Sequence, residues 1–256
     1  MSAAGPDIGV GQSLGQRKRQ EDRVAVWPDG GAEPALLVLS DGMGGAVGGD
    51  VAAELIVETV VGAFAEAAGG PGGPPPAPGV LRAAAERANQ ALRRRTAAEP
   101  DLRGMGGTLV AVHLLPGGVM FFSMGDSPLY LVRGGRAHRM NADHSVGGAL
   151  DAAAARGEIS PEDALARRDR NSIMSVLTGE PIAAMRMDET ADVVPLTKGD
   201  LLVLASDGLD TLSPEEIAEI AGRPASSADL VAALLAAVEA AARPRQDNTT
   251  VVVARI

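Results

Sequence analysis

Residues 36–50, LLVLSDGMGGAVGGD, place five glycines and two aspartates directly after a short apolar run. Such a glycine-rich turn at the end of a strand fits either a phosphate-binding loop or a metal site. The dinucleotide-binding pattern G-x-G-x-x-G fails, because Val47 occupies its third glycine position. The P-loop pattern fails as well, since Asp50 stands where its lysine should follow Gly49. An aspartate in the loop also repels phosphate unless a cation lies between them, so a metal site is the better hypothesis.

Composition narrows the classes of function. The chain of 256 residues is long enough for one large domain or two small ones. Its net charge of -10 argues against non-specific nucleic-acid binding and against binding to an anionic membrane surface. The absence of cysteine excludes disulfides, thiolate catalysis and zinc–cysteine sites. Apolar residues make up 46% of the chain but only five residues are aromatic, so we expect a core of Ala, Val, Leu and Ile.

No targeting segment or membrane span is predicted. The first ten residues, MSAAGPDIGV, lack the basic and apolar regions of a signal peptide. No uncharged apolar stretch reaches the roughly 18 residues that a transmembrane helix requires. The sequence therefore predicts a soluble, cytoplasmic protein.

Apolar periodicity predicts five elements in the first part of the chain. They are strands at 8–15, 22–27 and 35–40 and helices at 50–67 and 80–98. Asp50 is the expected N-cap of the first helix. Between the helices, residues 68–79 are rich in glycine and proline and could form an interdomain linker. Because helical sequence resumes at once, we favour a flexible loop inside a single domain that spans 1–256.

The second half contains closely spaced strands. Runs at 107–115, 119–124 and 128–133 are separated by short turns, so neighbouring strands must be antiparallel. Residues 141–190 are polar and mixed, with a short helix expected near 161–168. The remaining predicted elements are a strand at 200–205, a helix at 213–221 with Ser213 as its N-cap, a helix at 226–242 and a strand at 248–256. Antiparallel strands interleaved with long helices indicate an α+β layered fold.

Four aspartates lie where predicted strands begin or end. Asp41 and Asp207 each follow an apolar strand within Ser-Asp-Gly, Asp126 follows another within Gly-Asp-Ser, and Asp247 precedes the closing strand. If these acids converge at one edge of the sheet structure, a carboxylate cluster without cysteine or histidine selects hard cations such as Mg²⁺ or Mn²⁺. Alternatively, Asp-Gly pairs simply mark turns. Turn formation could explain any one of these aspartates alone, but it explains less well why all four border apolar strands.

Seven short motifs, in this order along the chain, resemble those of the bacterial metal-dependent serine/threonine protein phosphatases of type 2C. They are Arg17-x-x-x-Glu21-Asp22, Asp41-Gly42-Met43-Gly44-Gly45, Gly106-Gly107-Thr108, Gly125-Asp126-Ser127, Asp143-His144-Ser145, Ser206-Asp207-Gly208 and Asp247-Asn248. Each motif alone is weak, but the ordered set is specific and covers roughly residues 8–256. The resemblance implies a four-layer α-β-β-α sandwich, in which two antiparallel sheets pack face to face between helices and the metal site lies at one end.

The resemblance also implies roles for individual residues. Asp41 matches the carboxylate that bridges two catalytic Mn²⁺ or Mg²⁺ ions, and the carbonyl of Gly42 matches a ligand of one of them. Asp207 and Asp247 match acids that bind the first metal ion. Arg17 matches the residue that binds the substrate phosphate.

The remaining acids complete the implied metal centre. Glu21 and Asp22 match acids that bind the second ion, directly or through water. Asp126 matches the acid that holds a third ion together with the equivalent of Asp207. His144 is interpreted as a structural hydrogen-bonding residue, because the other site residues are all oxygen donors.

The sequence departs from the family pattern at several positions. Met43 stands where some members, mainly eukaryotic ones, have a histidine that acts as general acid, so another group must protonate the leaving group. Pro128 follows Gly-Asp-Ser where arginine is usual, and an exposed arginine contact is lost. Residues 145–187 match the family's mobile flap, in which Arg168 and Asp169 replace the usual His-Pro pair.

The predicted function is hydrolysis of phosphoserine and phosphothreonine in proteins by a metal-activated water. Acidic residues alone would exclude a phosphate dianion, whereas two divalent cations reverse the local field. The expected partners are phosphorylated proteins and a cognate Ser/Thr protein kinase, with no nucleic acid and no membrane, and the expected state is a monomer. The alternative is a pseudophosphatase that keeps the fold as a binding module. Such proteins typically lose metal-binding acids, all of which are present here.

Overall fold

Two antiparallel β-sheets form the centre of the structure, a computed structural model that describes residues 6–28, 35–44, 48–182, 185–223 and 226–256. In chain order, the strands are β1 (Asp7–Ser13), β2 (Asp22–Trp27), β3 (Ala35–Met43), β4 (Gly106–Gly107), β5 (Leu109–Leu115), β6 (Gly118–Met124), β7 (Leu129–Arg133), β8 (Arg136–Arg139), β9 (Asp188–Glu189), β10 (Val194–Pro195), β11 (Leu201–Ala205) and β12 (Thr249–Arg255). One sheet has the order β1-β12-β11-β7-β8. The other has the order β10-β6-β5-β3-β2, with β4 paired to β3 and β9 paired to β6.

Helices cover the outer faces of both sheets. The α-helices of the described residues are α1 (Gly49–Ala68), α2 (Val80–Ala98), α3 (Val146–Ala155), α4 (Pro161–Ala166), α5 (Pro214–Ala221) and α6 (Ser227–Ala240), with short 3-10 helices at Pro100–Leu102 and Asp207–Thr211. α1 and α2 pack on the sheet that contains β3, and α6 packs on the sheet that contains β12. The predicted α-β-β-α sandwich is therefore confirmed.

None of the helices in the described part of the chain is both long and apolar enough to span a membrane.

The side chains of strand β3 are buried on both faces of its sheet. Leu37 packs between the sheets, in one cluster with Leu202 and Val252 of the opposing sheet. Leu36 and Val38 point the other way and pack beneath α1 and α2. Successive side chains of a strand face opposite sides, so a strand that is covered on both faces needs an unbroken apolar run. The run that precedes Asp41 meets this requirement.

α1 and α2 lie side by side although the segment 68–79 separates them. Gly69 ends α1 and Gly79 precedes α2, and both adopt the positive φ that glycine tolerates (68° and 82°). The two helices share one hydrophobic cluster. The segment thus connects two packed helices of the same layer, whereas the single-domain bounds of 1–256 remain a prediction.

Two predicted features of the helices are corrected. Asp50 does not cap α1, because the N-cap is Gly48 and Asp50 lies inside the first turn. The N–H of Gly48 donates to the carbonyl of Gly44 (2.9 Å), so the chain enters the helix from the glycine turn, one residue earlier than predicted. The segment predicted to hold one short helix also contains α3, which Ser145 caps by accepting from the N–H of Gly148 (3.0 Å). The two glycines in the sequence of α3 lower its helix propensity and masked it.

Candidate active site

Strands β2 and β3 bring Asp22 and Asp41 to the same end of one sheet. The two residues are direct partners in the antiparallel ladder. Glu21 precedes β2, and its carbonyl accepts a hydrogen bond from the N–H of Gly42 (3.1 Å). Position 42 requires glycine, because a Cβ there would lie 1.9 Å from the carbonyl oxygen of Gly49. Three predicted metal-binding acids and Gly42 therefore share one corner of this sheet.

The opposing sheet contributes Asp207 and Asp247 at the same edge. Asp207 lies just beyond β11 and Asp247 just before β12, and these two strands are antiparallel neighbours. Two hydroxyls connect the sheets here, since Ser206 and Thr250 both donate to Oδ2 of Asp22 (2.8 and 2.7 Å). Acids from both sheets thus meet at one end of the sandwich.

Asp126 reaches the site through a turn at Gly125. This glycine has a φ of 114°, and a Cβ on it would lie 2.5 Å from the side chain of Thr108. His144 holds the turn, because its Nδ1 accepts from the N–H of Gly125 (3.2 Å) and its own N–H donates to the carbonyl of Gly125 (3.1 Å). These two hydrogen bonds support the interpretation of His144 as a structural residue.

The carboxylates of this edge repel one another inside the protein. Burial raises the pKa of Asp41 well above its usual range, and the charges of Asp22, Asp207, Asp126 and Asp247 raise it further. Burial, followed by the charges of Asp126 and Asp247, raises the pKa of Asp207 to about 8. Burial raises the pKa of Asp126 to about 6, with a further contribution from a neighbouring aspartate. A bound cation would remove this penalty, so the electrostatics favour one or more positive ions.

Three carboxylate oxygens at this edge are buried and have no hydrogen-bond partner among the described residues. They are the Oδ1 atoms of Asp22, Asp126 and Asp207. An unpaired buried oxygen on an acidic side chain is costly unless it binds a cation. Hard divalent ions such as Mn²⁺ and Mg²⁺ prefer oxygen ligands. The residues present therefore fit such ions.

The side chains are not yet arranged as a closed metal site. Within the described ranges, no group of three or more acidic or histidine side chains stands in metal-binding geometry. Asp22 directs one oxygen to Ser206 and Thr250, and Asp247 contacts the guanidinium of Arg17. Metal binding thus requires some of these side chains to turn.

Arg17 lies at the rim of the acidic edge, with 49% of its side chain exposed. It follows β1, and its guanidinium donates to Oδ2 of Asp247. The residue predicted to bind phosphate and a residue predicted to bind metal are therefore in direct contact. A guanidinium presents paired N–H donors that match two oxygens of a phosphate group.

Thr108 has a role at the site that sequence reasoning missed. Its hydroxyl accepts from the N–H of Asp41 (2.9 Å) and lies 2.8 Å from the hydroxyl of Ser127. Its own N–H donates to the carbonyl of Asp41 (2.9 Å), and its carbonyl accepts from the hydroxyl of Ser40 (2.7 Å). Thr108 therefore fixes the backbone of Asp41 from both sides. The Gly-Gly-Thr motif was the available signal for this role.

Asn248 positions a second acid in a similar way. Its Oδ1 accepts from the N–H of Glu21 (2.9 Å), and its Nδ2 donates to the carbonyl of Leu14 (3.0 Å). The side chain after Asp247 thus ties the start of β12 to the chain that leads into β2. This contact accounts for the asparagine in the Asp-Asn motif.

Two of the departures from the family pattern lie near the acidic edge. Met43, at the end of β3, is 40% exposed, and its thioether carries no proton to donate. Near Pro128, Arg139 on β8 donates to the carbonyl of Asp126. The Arg139 guanidinium also lies 3.9 Å from Asp143 and 3.8 Å from Asp210. Gly45, the last glycine of the second motif, lies outside the described residues.

A groove of about 830 Å³ opens from Asp126, Asp207 and Asp247. One side belongs to residues 145–187, the segment predicted as a flap, and includes Asp151, Leu165 and Arg170. The facing side is formed by the start of α5 and by the segment between α6 and β12, with residues 211–214, 216 and 243–246. The acidic edge is therefore open to a molecule larger than a phosphate group.

Comparisons with known proteins identify the family of this chain. A family model described as Protein phosphatase 2C matches residues 12–247. The chain is 33% identical over 225 residues to the serine/threonine protein phosphatase PstP of Mycobacterium tuberculosis, which covers 86% of this chain and 40% of PstP. It is 32% identical over 208 residues to the serine/threonine phosphatase stp of Listeria monocytogenes, which covers 80% of this chain and 78% of stp.

The fold also matches that of a solved relative. A crystal structure of the catalytic domain of PstP in complex with two manganese ions superposes with a TM-score of 0.77 at 32% identity. The superposition covers 98% of this chain and 97% of that domain. The match to the family model and the four-layer fold lead to the same conclusion: the chain belongs to the protein phosphatase 2C family.

Proposed function

We propose that this protein hydrolyses phosphoserine and phosphothreonine in other proteins and that it depends on Mn²⁺ or Mg²⁺. The observation that carries the proposal is the acidic edge, where buried carboxylates repel one another and three of their oxygens lack a partner in the described part of the chain. This edge opens into a groove that can receive a protein segment. The names of the relatives support the same activity.

The proposed ligands are those that the sequence motifs indicate. Asp41 would bridge two ions, with the carbonyl of Gly42 as a further ligand. Asp207 and Asp247 would complete the site of the first ion. When bound, the ions supply positive charge to the phosphoryl group and acidify the attacking water. The related catalytic domain of PstP was solved with two manganese ions.

The other acids are assigned to the second and third ions. Glu21 and Asp22 would bind the second ion, and Asp126 would hold a third ion together with Asp207. The unpaired Oδ1 atoms of Asp22 and Asp126 support this assignment.

Arg17 is proposed to hold the phosphoryl oxygens of the substrate. Its guanidinium contacts Asp247 in the structure. Once Asp247 turns to a cation, this guanidinium is free to donate to the substrate phosphate. A guanidinium can also stabilise charge that develops on the phosphoryl oxygens.

The substrates and partners follow from the family. Phosphorylated proteins are the substrate class that the family implies, and a cognate Ser/Thr kinase would supply them. Monomeric state and cytoplasmic location remain predictions from the sequence. The pseudophosphatase alternative would suit a chain that has lost metal-binding acids, whereas Glu21, Asp22, Asp41, Asp126, Asp207 and Asp247 are all retained.

The test is hydrolysis of p-nitrophenyl phosphate and of a phosphothreonine peptide, with Mn²⁺, with EDTA and with Asp207→Ala. Asp192→Ala is the matched control, because Asp192 is exposed and lies between β9 and β10. We expect turnover that requires metal, collapses in Asp207→Ala and persists in Asp192→Ala. A folded, Mn²⁺-saturated protein without turnover would favour the pseudophosphatase.

A further inference from the structure

Arg245 has an unusual backbone conformation beside the acidic edge. It lies in the segment between α6 and β12, two residues before Asp247, and its φ is 61°. Residues with a side chain seldom adopt a positive φ, because the Cβ crowds the backbone. Such strain is retained where surrounding contacts impose it, and it is often found near functional sites.

The surrounding contacts explain the turn. The N–H of Arg245 donates to Oε1 of Gln16 (3.1 Å), and the N–H of Gln16 donates to the carbonyl of Gln246 (2.8 Å). The buried side chain of Gln246 then reaches inward, where it donates to the carbonyl of Gly208 (3.2 Å) and accepts from the hydroxyl of Thr211 (2.8 Å). The turn therefore joins the loop that carries Arg17 to the segment that follows Asp207.

These contacts do not explain why the residue is arginine. Residue 245 contributes only its backbone N–H to these hydrogen bonds. Glycine would adopt the same φ without strain. Arg245 is exposed and lines the groove that also includes Asp247. An arginine retained in a conformation that favours glycine suggests that its side chain has a function of its own.

Arg245 differs from the other arginines of the groove because its guanidinium has no hydrogen-bond or ion-pair partner among the described residues. The others have partners: Arg139 contacts Asp126, Asp143 and Asp210, Arg170 contacts Asp151 at 2.6 Å, and Arg243 donates to the carbonyl of Thr211 at 2.8 Å. A free guanidinium at the mouth of an acidic site can bind a further anion.

We propose that Arg245 binds a second anionic group of the phosphoprotein substrate, a carboxylate or an additional phosphate a few residues from the phosphate that is hydrolysed. The inference rests on the proposed function and names a preference of that same site. Arg17 and Arg245 lie on loops joined through Gln16, so two anions of one extended segment can be held side by side. Without this cation, the acidic walls of the groove would disfavour a substrate with extra negative charge.

The test uses phosphothreonine peptides with one neutral parent sequence. In one series Asp replaces Ala at single positions up to four residues on either side of the phosphothreonine, and in parallel series Lys or phosphoserine does so. Both kcat/KM with Mn²⁺ and peptide affinity by fluorescence anisotropy are measured for the wild type, Arg245→Gln, Arg245→Lys and Arg245→Gly. Arg94→Gln is the control, because Arg94 is exposed on α2, outside the groove.

The wild type should prefer at least one Asp or phosphoserine peptide over the parent by about threefold to tenfold, and less at high salt. Arg245→Gln and Arg245→Gly should lose this preference, whereas Arg245→Lys should keep part of it and Arg94→Gln all of it. Equal values for acidic and neutral peptides in the wild type, or an unchanged preference in Arg245→Gln, would overturn the inference. If no peptide is hydrolysed at all, the proposed function fails, while the affinities still decide whether Arg245 selects acidic peptides.

Discussion

Two regions of this protein bury polar atoms that lack a hydrogen-bond partner in the described residues, and they do so in different ways. His113 lies beneath α1, where its Nε2 is unpaired and its ring packs edge-to-face on Phe64 with the ring centroids 4.8 Å apart. Burial alone lowers the pKa of His113 to about 4. At the acidic edge, burial acts together with like charges and raises the pKa of Asp207 to about 8.

The difference shows which buried polar groups indicate function. His113 avoids the cost of burial by staying neutral, and no other charged group contributes to its shift. The acids at the edge raise one another's pKa values, so protonating one of them does not remove the repulsion among the others. A set of coupled groups that open into a groove indicates a ligand site, whereas an isolated buried histidine indicates packing.

The largest expected effect is on catalysis at the acidic edge. Asp41→Asn keeps the shape of the side chain but removes the charge proposed to bridge two ions. We expect kcat/KM for p-nitrophenyl phosphate to fall about 10³-fold at saturating Mn²⁺, because several kcal/mol of metal-dependent stabilisation is lost. Steady-state kinetics would measure this, with Asp192→Asn as the control. A loss of less than tenfold would contradict the role of Asp41 and weaken the contrast with His113.

The next expected effect is a pH dependence of the free energy of unfolding that comes from His113. Its pKa is about 4 in the folded chain and 6.5 in the unfolded chain, so between these values only the unfolded chain binds the proton. Relative to His113→Leu, the free energy of unfolding of the wild type should therefore fall by about 3 kcal/mol as the pH falls from about 6.5 to 4. Urea unfolding of the EDTA-treated wild type and of His113→Leu would measure the difference. Parallel pH curves for the two proteins would show that His113 does not titrate in this way.

Metal binding should stabilise the protein through the acidic edge alone. Mn²⁺ at about 100 times its Kd should add about 2.7 kcal/mol to the free energy of unfolding, because the ion binds the folded chain. Thermal unfolding with Mn²⁺ and with EDTA would measure the gain. His113→Leu should show the same gain as the wild type, and Asp41→Asn a smaller one. An equal gain in Asp41→Asn would place the stabilising ion elsewhere.

A smaller effect is expected at Thr108, which supports the acidic edge without belonging to it. Thr108→Val keeps the shape but leaves the N–H of Asp41 and the hydroxyl of Ser127 without this partner. We expect a loss of about 2 kcal/mol in unfolding free energy and a lower kcat. Thr108→Ser keeps the hydroxyl and should retain most of the activity. If both variants lose activity equally, the methyl group of Thr108 matters rather than its hydrogen bonds.

Much of the fold was predictable from apolar periodicity. β2 and α2 have the predicted bounds, and Ser213 caps α5 through a capping box with Glu216, as its sequence indicates. The failures occurred where glycine obscured the pattern. The start of α1 is set by the turn through Gly44 and Gly48, and the glycines of α3 masked a helix that its neighbours stabilise.

The site was predictable only as a set of acids. Motif order indicated Asp41, Asp126, Asp207 and Asp247, and strand pairing explains why they converge. No local pattern could reveal that Arg139 reaches Asp126, because that contact depends on how the β7–β8 hairpin folds back. The positive φ of Arg245 was equally hidden, since it follows from long-range contacts with Gln16 and Gln246.

The pairing of β12 between β1 and β11 has a consequence for the order of events during synthesis. β1 pairs only with β12 in the described structure, so an emerging chain holds this early strand unpaired until more than two hundred further residues have left the ribosome. Asp247 is delivered by the same late segment. A nascent chain therefore carries most of the acids long before it can assemble the proposed metal centre, which cannot form until the two sheets close.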